Sequence, residues 1–342
     1  MKNIYFNVEK GIKDLQKIFE NTDGADERLR KFNQEALELF KNLESESLKE
    51  LESLKNNEEW EKFTIAFYGG TGAGKSTLIE CLRLFFKKLG KMDQQERFKR
   101  LYADVKNPNY VKNYRSSEHA ELEKLQDGAI IDDGRSDFTL KTESYTLKHN
   151  NQSFVLLDVP GIEGDEKKVR QQISNATRKA HAIFYVTKTP APPQKGEEGK
   201  EGTIEKIQNQ LDSQTEVYTL FNKPINNPRA LKDELIDENE KESLRDLNEK
   251  MRAILGKHYE GHQIVSTQVA FYGLSSALLP ETDFYKNKQK FLEIFKAEEL
   301  LLYKSQFKQF RKIYSPGTLL ENSRKKIIES NCNKALKVIE KL

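Results

Sequence analysis

The stretch Gly69-Gly70-Thr71-Gly72-Ala73-Gly74-Lys75-Ser76 decides how this chain is read. It has the spacing G-x-x-x-x-G-K-S. Thr64-Ile65-Ala66-Phe67-Tyr68 before it reads as a buried strand, and Thr77-Leu78-Ile79-Glu80-Cys81-Leu82 after it as the opening of a helix. Strand, glycine-rich turn and helix start, in that order, form a phosphate cradle. Several backbone N–H groups must turn inward onto one phosphate chain, and side chains would block them, which accounts for glycine at 69, 72 and 74. The helix adds the positive end of its dipole and its unpaired first amides. Lys75 supplies a charge to the β- and γ-phosphates, and the Ser76 hydroxyl supplies a ligand to Mg2+. Gly69, Gly70, Thr71, Gly72, Ala73, Gly74, Lys75, Ser76 and Thr77 are therefore the candidate nucleotide-contacting residues.

Outward from this loop, residues 60 to about 280 alternate apolar runs with helical stretches. The candidate strands are 63–68, 145–147, 153–157, 182–187, 217–221 and 264–266. Alternation of this kind predicts an α/β fold, a mostly parallel sheet buried between helices. The run Phe154-Val155-Leu156-Leu157 ends in Asp158-Val159-Pro160-Gly161, the pattern D-x-x-G at a strand tip. Asp158 can hold Mg2+ through water there, and Gly161 can offer its N–H to a γ-phosphate because no Cβ intervenes.

The flanks read differently. Residues 1–58 carry Leu29, Phe32, Ala36, Leu37, Phe40, Leu43, Leu48 and Leu51 at helical spacing, and 281–342 return to helix, with one long stretch over 286–313 and a break at Ser315-Pro316-Gly317. The expected organisation is an N-terminal helical arm (1–58), a nucleotide-binding domain (59–280) with a long polar insert (88–137), and C-terminal helices (281–342) that pack with the arm into a bundle. In the insert, Tyr102, Tyr110 and Tyr114 with Arg97, Arg100 and Arg115 make either a partner surface or a solvated helical decoration.

Composition sets limits. The 342 residues carry 57 basic and 54 acidic side chains, a net charge of +3, with both signs interspersed, so no nucleic-acid footprint is expected. Cys81 and Cys332 match no metal spacing, nor do the five histidines, and a reducing cytoplasm is the simple reading. The N-terminus lacks a signal-peptide segment, and no apolar run is long enough for a bilayer. A peripheral membrane contact through the amphipathic 291–314 helix is compatible with this, packing against the arm being the alternative.

On the phosphate loop and Asp158-Val159-Pro160-Gly161-Ile162 the chain resembles the translation-factor-like GTPases. On residues 63–80, Asp133-Gly134-Arg135-Ser136-Asp137-Phe138-Thr139 and Asn222-Lys223-Pro224 it is similar to bacterial dynamin-like GTPases of the LeoA type. The resemblance implies GTP and GDP as ligands with Mg2+ as cofactor. It makes Thr139 the switch threonine that completes the Mg2+ shell, with Thr142 as runner-up, and Asn222 and Lys223 the base-reading pair. Three departures bear on function. Ile225 stands where an aspartate would read guanine, with Asn226 as neighbouring substitute, and an isoleucine accepts no hydrogen bond. Ser266-Thr267-Gln268 stands at the fifth motif, Ser275-Ser276-Ala277 at a helix start being the alternative. Ile162 occupies the place of the water-orienting glutamine. Lys75, Ser76, Thr139, Asp158 and Gly161 are the expected catalytic group, and Ser76, Thr139 and Asp158 the expected metal ligands. Three functions stand at this stage: a slow GTPase accelerated by self-association or hetero-assembly through the GTPase face or the bundle, a barely hydrolysing scaffold that docks partners, and an ATPase.

Overall fold

The structure is a computed structural model. It describes residues 62–87, 89–106, 115–131, 141–149, 152–162, 167–196, 202–210, 216–231, 233–313 and 323–340, with further positions between 10 and 45 that are all helical. Thr139, Tyr110 and Tyr114 lie outside the described residues. The chain divides into two compact units, Met1–Glu61 with Lys325–Leu342, and Lys62–Arg324. The sequence boundary at 280 therefore moves: Asp283–Ile313 belong to the nucleotide-domain unit, not to the terminal one.

The larger unit is built on six strands, β1 (Phe63–Gly69), β2 (Glu143–His149), β3 (Gln152–Asp158), β4 (Ala182–Thr187), β5 (Glu216–Asn222) and β6 (Tyr259–Val265), in the order β2-β3-β1-β4-β5-β6. Only β2 runs antiparallel, as a hairpin with β3. Every expected strand is present. The largest error is β6, which begins at Tyr259 rather than 264 and stops before Ser266. It is an edge strand whose middle residues are half-exposed or exposed, so Gly261-His262-Gln263 carry no apolar signal.

Between the strands lie α1 (Lys75–Phe85), α2 (Leu89–Lys106), α3 (Arg115–Leu125), α4 (Lys167–Lys179), α5 (Thr203–Gln210) and α6 (Glu238–Leu255), and α7 (Thr267–Leu274) follows β6. β1 is buried along its whole length, with a helix layer on each face, which is why it reads as a continuous apolar run. Its even residues Ala66 and Tyr68 pack with Ile173 and Ala176 of α4, Ile207 of α5 and Leu247 and Met251 of α6. On the other face Phe67 stacks on Phe184 (5.7 Å between ring centroids), and Phe184 meets Tyr218 (5.1 Å) and Phe310 (5.8 Å). His181 ties β4 to β1, its Nδ1 accepting the Thr64 N–H at 2.9 Å.

Past α7 the long helix expected over 286–313 is three helices, α8 (Asp283–Phe295), α9 (Glu298–Lys304) and α10 (Phe307–Ile313). The breaks fall at Lys296 (φ 61°) and Gln306 (φ 58°), two left-handed residues that no Gly or Pro announces. Left-handed backbone costs a non-glycine residue about 1–2 kcal/mol. The breaks let α8 and α9 fold back on α7, and they bury Phe291, Leu301, Phe307 and Phe310, whose burial outweighs that cost at about 1.5–3 kcal/mol each. A final helix, α11 (Ser323–Glu340), begins in this unit and runs into the terminal one.

Candidate functional site

The phosphate loop joins the end of β1 to α1. Gly69 lies so close to β4 that a Cβ there would stand 2.1 Å from the Val186 carbonyl oxygen. Gly74, the N-cap of α1 at φ 91°, is pressed from outside: a Cβ would stand 2.1 Å from Asn222 Nδ2. Glycine is therefore required at both ends of the loop by neighbouring strands as well as by the turn. Thr71 and Gly72 form its exposed crest.

Lys75 is buried, and its ammonium donates to Gly69 O (3.0 Å) and Gly70 O (2.9 Å), folded back over the loop. Ser76 Oγ donates to Asp158 Oδ2 at 2.6 Å. The parallel register of β1 with β3 pairs Phe67 with Asp158, which brings the two elements' ends together. Burial pushes the Asp158 carboxyl above its usual range, opposed by the Ser76 hydrogen bond and the Lys75 charge. Its Oδ1 is buried and has no hydrogen-bond partner among the described residues. An unsatisfied hard oxygen beside a serine hydroxyl, at the mouth of an anion cradle, fits Mg2+.

Gly161 lies at the site, and the next residue is tied to the loop through Ile162 N–H donating to Gly69 O at 3.3 Å. Lys206 of α5 donates to Ile162 O at 3.0 Å. The Ile162 side chain belongs to the core with Val169 and Ile173, so it takes no part in orienting water. The runner-up switch residue, Thr142, lies just before Glu143, which pairs across the hairpin with Asp158. Its N–H donates to Gln172 Oε1 at 2.9 Å, and its buried Oγ1 has no hydrogen-bond partner among the described residues.

At the end of β5, Asn222 links three elements. Its Nδ2 donates to Ala73 O (2.8 Å), and its Oδ1 accepts from Thr267 N (2.9 Å) and Thr267 Oγ1 (3.0 Å). The Ser266-Thr267-Gln268 reading of the fifth motif thus sits against the loop. Ser275-Ser276-Ala277 does not, and it follows helix α7 instead of starting one. Lys223 Nζ pairs with Glu240 Oε2 at 2.5 Å, Glu240 being held in the capping box of α6 by Asp237. Ile225 is 2% exposed and packed inward, while Asn226 beside it is exposed.

Sequence reasoning missed a buried ionic network behind the loop. Glu80, one turn into α1, receives Lys91 of α2 (2.6 Å), Arg83 (2.8 Å) and the Gly128 N–H (3.0 Å). Lys91 also reaches Asp127 (3.1 Å), whose carboxylate accepts from Gln95, Ser276 N and Ala277 N. Arg83 lies over the Tyr145 ring at 4.9 Å, and burial raises that phenol to about 12. The insert is therefore anchored to the domain, and Tyr102 stacks on Phe98 within its own helix, over a cluster with Leu122, Leu125, Ala277 and Leu279. Arg97 pairs with Glu121 and Arg100 with Glu96, both exposed. The one available signal was a glutamate in the apolar stretch after the loop.

Residues 126–223 match the family model described as 50S ribosome-binding GTPase. That interval starts after the phosphate loop and runs through Asp158 and Gly161 to Lys223, so the loop and the match are independent observations. Among curated proteins none matches the chain. The fold and the loop are those of a P-loop nucleotide-binding domain, and the match over residues 126–223 is to a GTPase family, which supports a GTPase reading. Among the described residues no helix is long and apolar enough to cross a membrane.

Proposed function

We propose that the chain binds GTP with Mg2+, hydrolyses it slowly when alone, and couples nucleotide state to its terminal helices in the manner of bacterial dynamin-like GTPases. The observation that carries this is the pairing of Ser76 with a buried Asp158 whose second oxygen is unsatisfied, beside Lys75 at the head of α1. Phosphate oxygens would replace the Gly69 and Gly70 carbonyls as partners of Lys75, and Ser76 and Asp158 would hold the metal. Bound Mg2+ offsets charge on the β- and γ-phosphates. Gly161 offers its N–H to the γ-phosphate, and Thr139 is the proposed switch ligand. With Ile162 in the core, no side chain at that position aims the water, which supports slow turnover and acceleration when a second molecule or partner completes the site. The terminal unit of 1–61 with 325–342 supports a helical element for nucleotide state to act on. Cytoplasmic residence and a peripheral membrane contact remain part of this proposal.

A second reading follows from Ile225. With no carboxylate at that position, guanine loses the acceptor that distinguishes it from adenine, which favours relaxed base choice and ATP turnover. Phosphate release with GTP and ATP side by side, over a range of protein concentrations, tests both readings. GTP turnover that rises per molecule with concentration is expected. Equal rates with ATP would give the second reading, and no turnover despite tight binding would leave a docking scaffold. Lys75→Ala is expected to abolish binding in calorimetry, and tight binding by that variant would remove the phosphate-site assignment.

A further inference from the structure

We propose that Lys188 is a second phosphate-binding cation of this site, an inference that rests on the nucleotide reading above. β4 runs beside β1 with Val186 in register with Gly69, so the chain leaves β4 level with the start of the phosphate loop. Two residues on, the Lys188 ammonium lies 3.9 Å from the point where a Cβ on Gly72 would sit, and beyond the glycine's own chain neighbours it is the only heavy atom of the described residues within 4 Å of that point. Gly72 is on the exposed crest, at φ 69°, where a bound phosphate chain meets the loop amides.

The backbone at 188 is fixed. The buried Thr187 hydroxyl donates to Thr189 O at 2.9 Å and accepts the Thr189 N–H at 3.2 Å, so one side chain clamps both flanks of Lys188. The other cations of the site are engaged: Lys75 on Gly69 O and Gly70 O, Lys206 on Ile162 O, Lys223 on Glu240. Lys188 is exposed and has no hydrogen-bond or ion-pair partner among the described residues. A triphosphate carries roughly four negative charges, and Mg2+ with Lys75 offsets about three of them. A lysine on a fixed turn at the loop crest supplies the remaining charge.

The test is calorimetry of GTP and GDP binding, with Mg2+, to the parent chain, Lys188→Met and Lys188→Arg. Met keeps the stem and removes the charge, and it is expected to weaken both nucleotides about tenfold or more, the scale of one hydrogen bond to a charged group. Arg is expected to stay within about threefold. The deficit of the Met variant should shrink as salt rises, because the lost contact is a charge contact at the surface. Without nucleotide, both variants should melt with the parent, since Lys188 is exposed and has no hydrogen-bond or ion-pair partner among the described residues. Parental GTP affinity in Lys188→Met overturns the assignment and leaves the nucleotide reading intact, as does an equal loss in Lys188→Arg. A parent chain that binds neither nucleotide overturns both.

Discussion

Lys91 is the sharpest test of how the loop helix is held. Its ammonium, 1% exposed, lies 2.6 Å from Glu80 and 3.1 Å from Asp127, both fully buried. Lys91→Met keeps the stem volume and removes the charge. Glu80 then retains Arg83 and the Gly128 amide, and Asp127 retains Gln95 and two amides, but two buried carboxylates share one cation. Breaking a buried pair by deleting one partner costs about 3–5 kcal/mol, because an uncompensated charge stays inside. For a unit spanning residues 62–324, each kcal/mol moves the melting temperature by about 2–4 °C, so a drop of about 6–20 °C is expected in thermal unfolding of the full chain. Adding Asp127→Asn removes the excess charge, so the double variant should lose less than the sum of the two single losses. A Lys91→Met variant melting within about 2 °C of the parent, or strictly additive losses, would refute the network as a structural tie.

Three other outcomes are expected. Burial holds the Asp158 carboxyl above its ordinary value, so its charged form is penalised when no metal offsets it; Asp158→Asn should melt no lower than the parent in chelator, yet gain nothing from Mg2+ when GTP is present. Melting curves in the four conditions check this, and a less stable variant in chelator would contradict it. Glu205 accepts the Gly196 and Gly202 amides, and its own backbone N–H and theirs hold its carboxyl below the ordinary 4.5. Its clamp is therefore in force above 4.5 and fades as pH falls further, which amide exchange at Gly196 and Gly202 should register in the parent but not in Glu205→Gln. Ile225→Asp places a lone carboxylate where the side chain is 2% exposed, so it should lower the melting temperature without improving GTP over ATP in competition binding; a stable variant with a new guanine preference would be the contrary result.

The order of the fold was legible because β1, β4 and β5 are buried on both sides and leave continuous apolar runs, and because the loop after β1 has a fixed spacing. Lys75, Ser76, Asp158 and Asn222 could be singled out as candidates for a related reason: each stands at the tip of a sheet strand or in the loop and helix start just beyond one. What was missed has no periodic trace. The half-exposed edge β6 hid its first residues. The breaks at Lys296 and Gln306 are imposed by packing of α8 to α10 on the domain, and local propensity opposes them. Lys91 and Asp127 read as ordinary insert charges because their partners are distant in sequence, with Glu80 contacting Gly128 across 48 positions.

The two isoleucines that depart from the GTPase pattern share one physical cause. By resemblance to the GTPase pattern, Ile162 and Ile225 stand where a polar side chain is expected, and each is turned into the core, at 6% and 2% exposure. Burying such a side chain contributes about 1.5–3 kcal/mol, so the substitutions fasten the loops after β3 and β5 to the sheet. The polar contacts kept at these loops are those that also fasten them: Ile162 N–H on Gly69 O, Asn222 across Ala73 and Thr267, and Lys223 on Glu240. Asp158 Oδ1 and the Lys188 ammonium have no hydrogen-bond partner among the described residues, and on the proposed reading they serve the metal and the phosphates. On the proposed nucleotide reading, recognition is concentrated on the charged end of the ligand, and position 225 contributes nothing to telling one base from another.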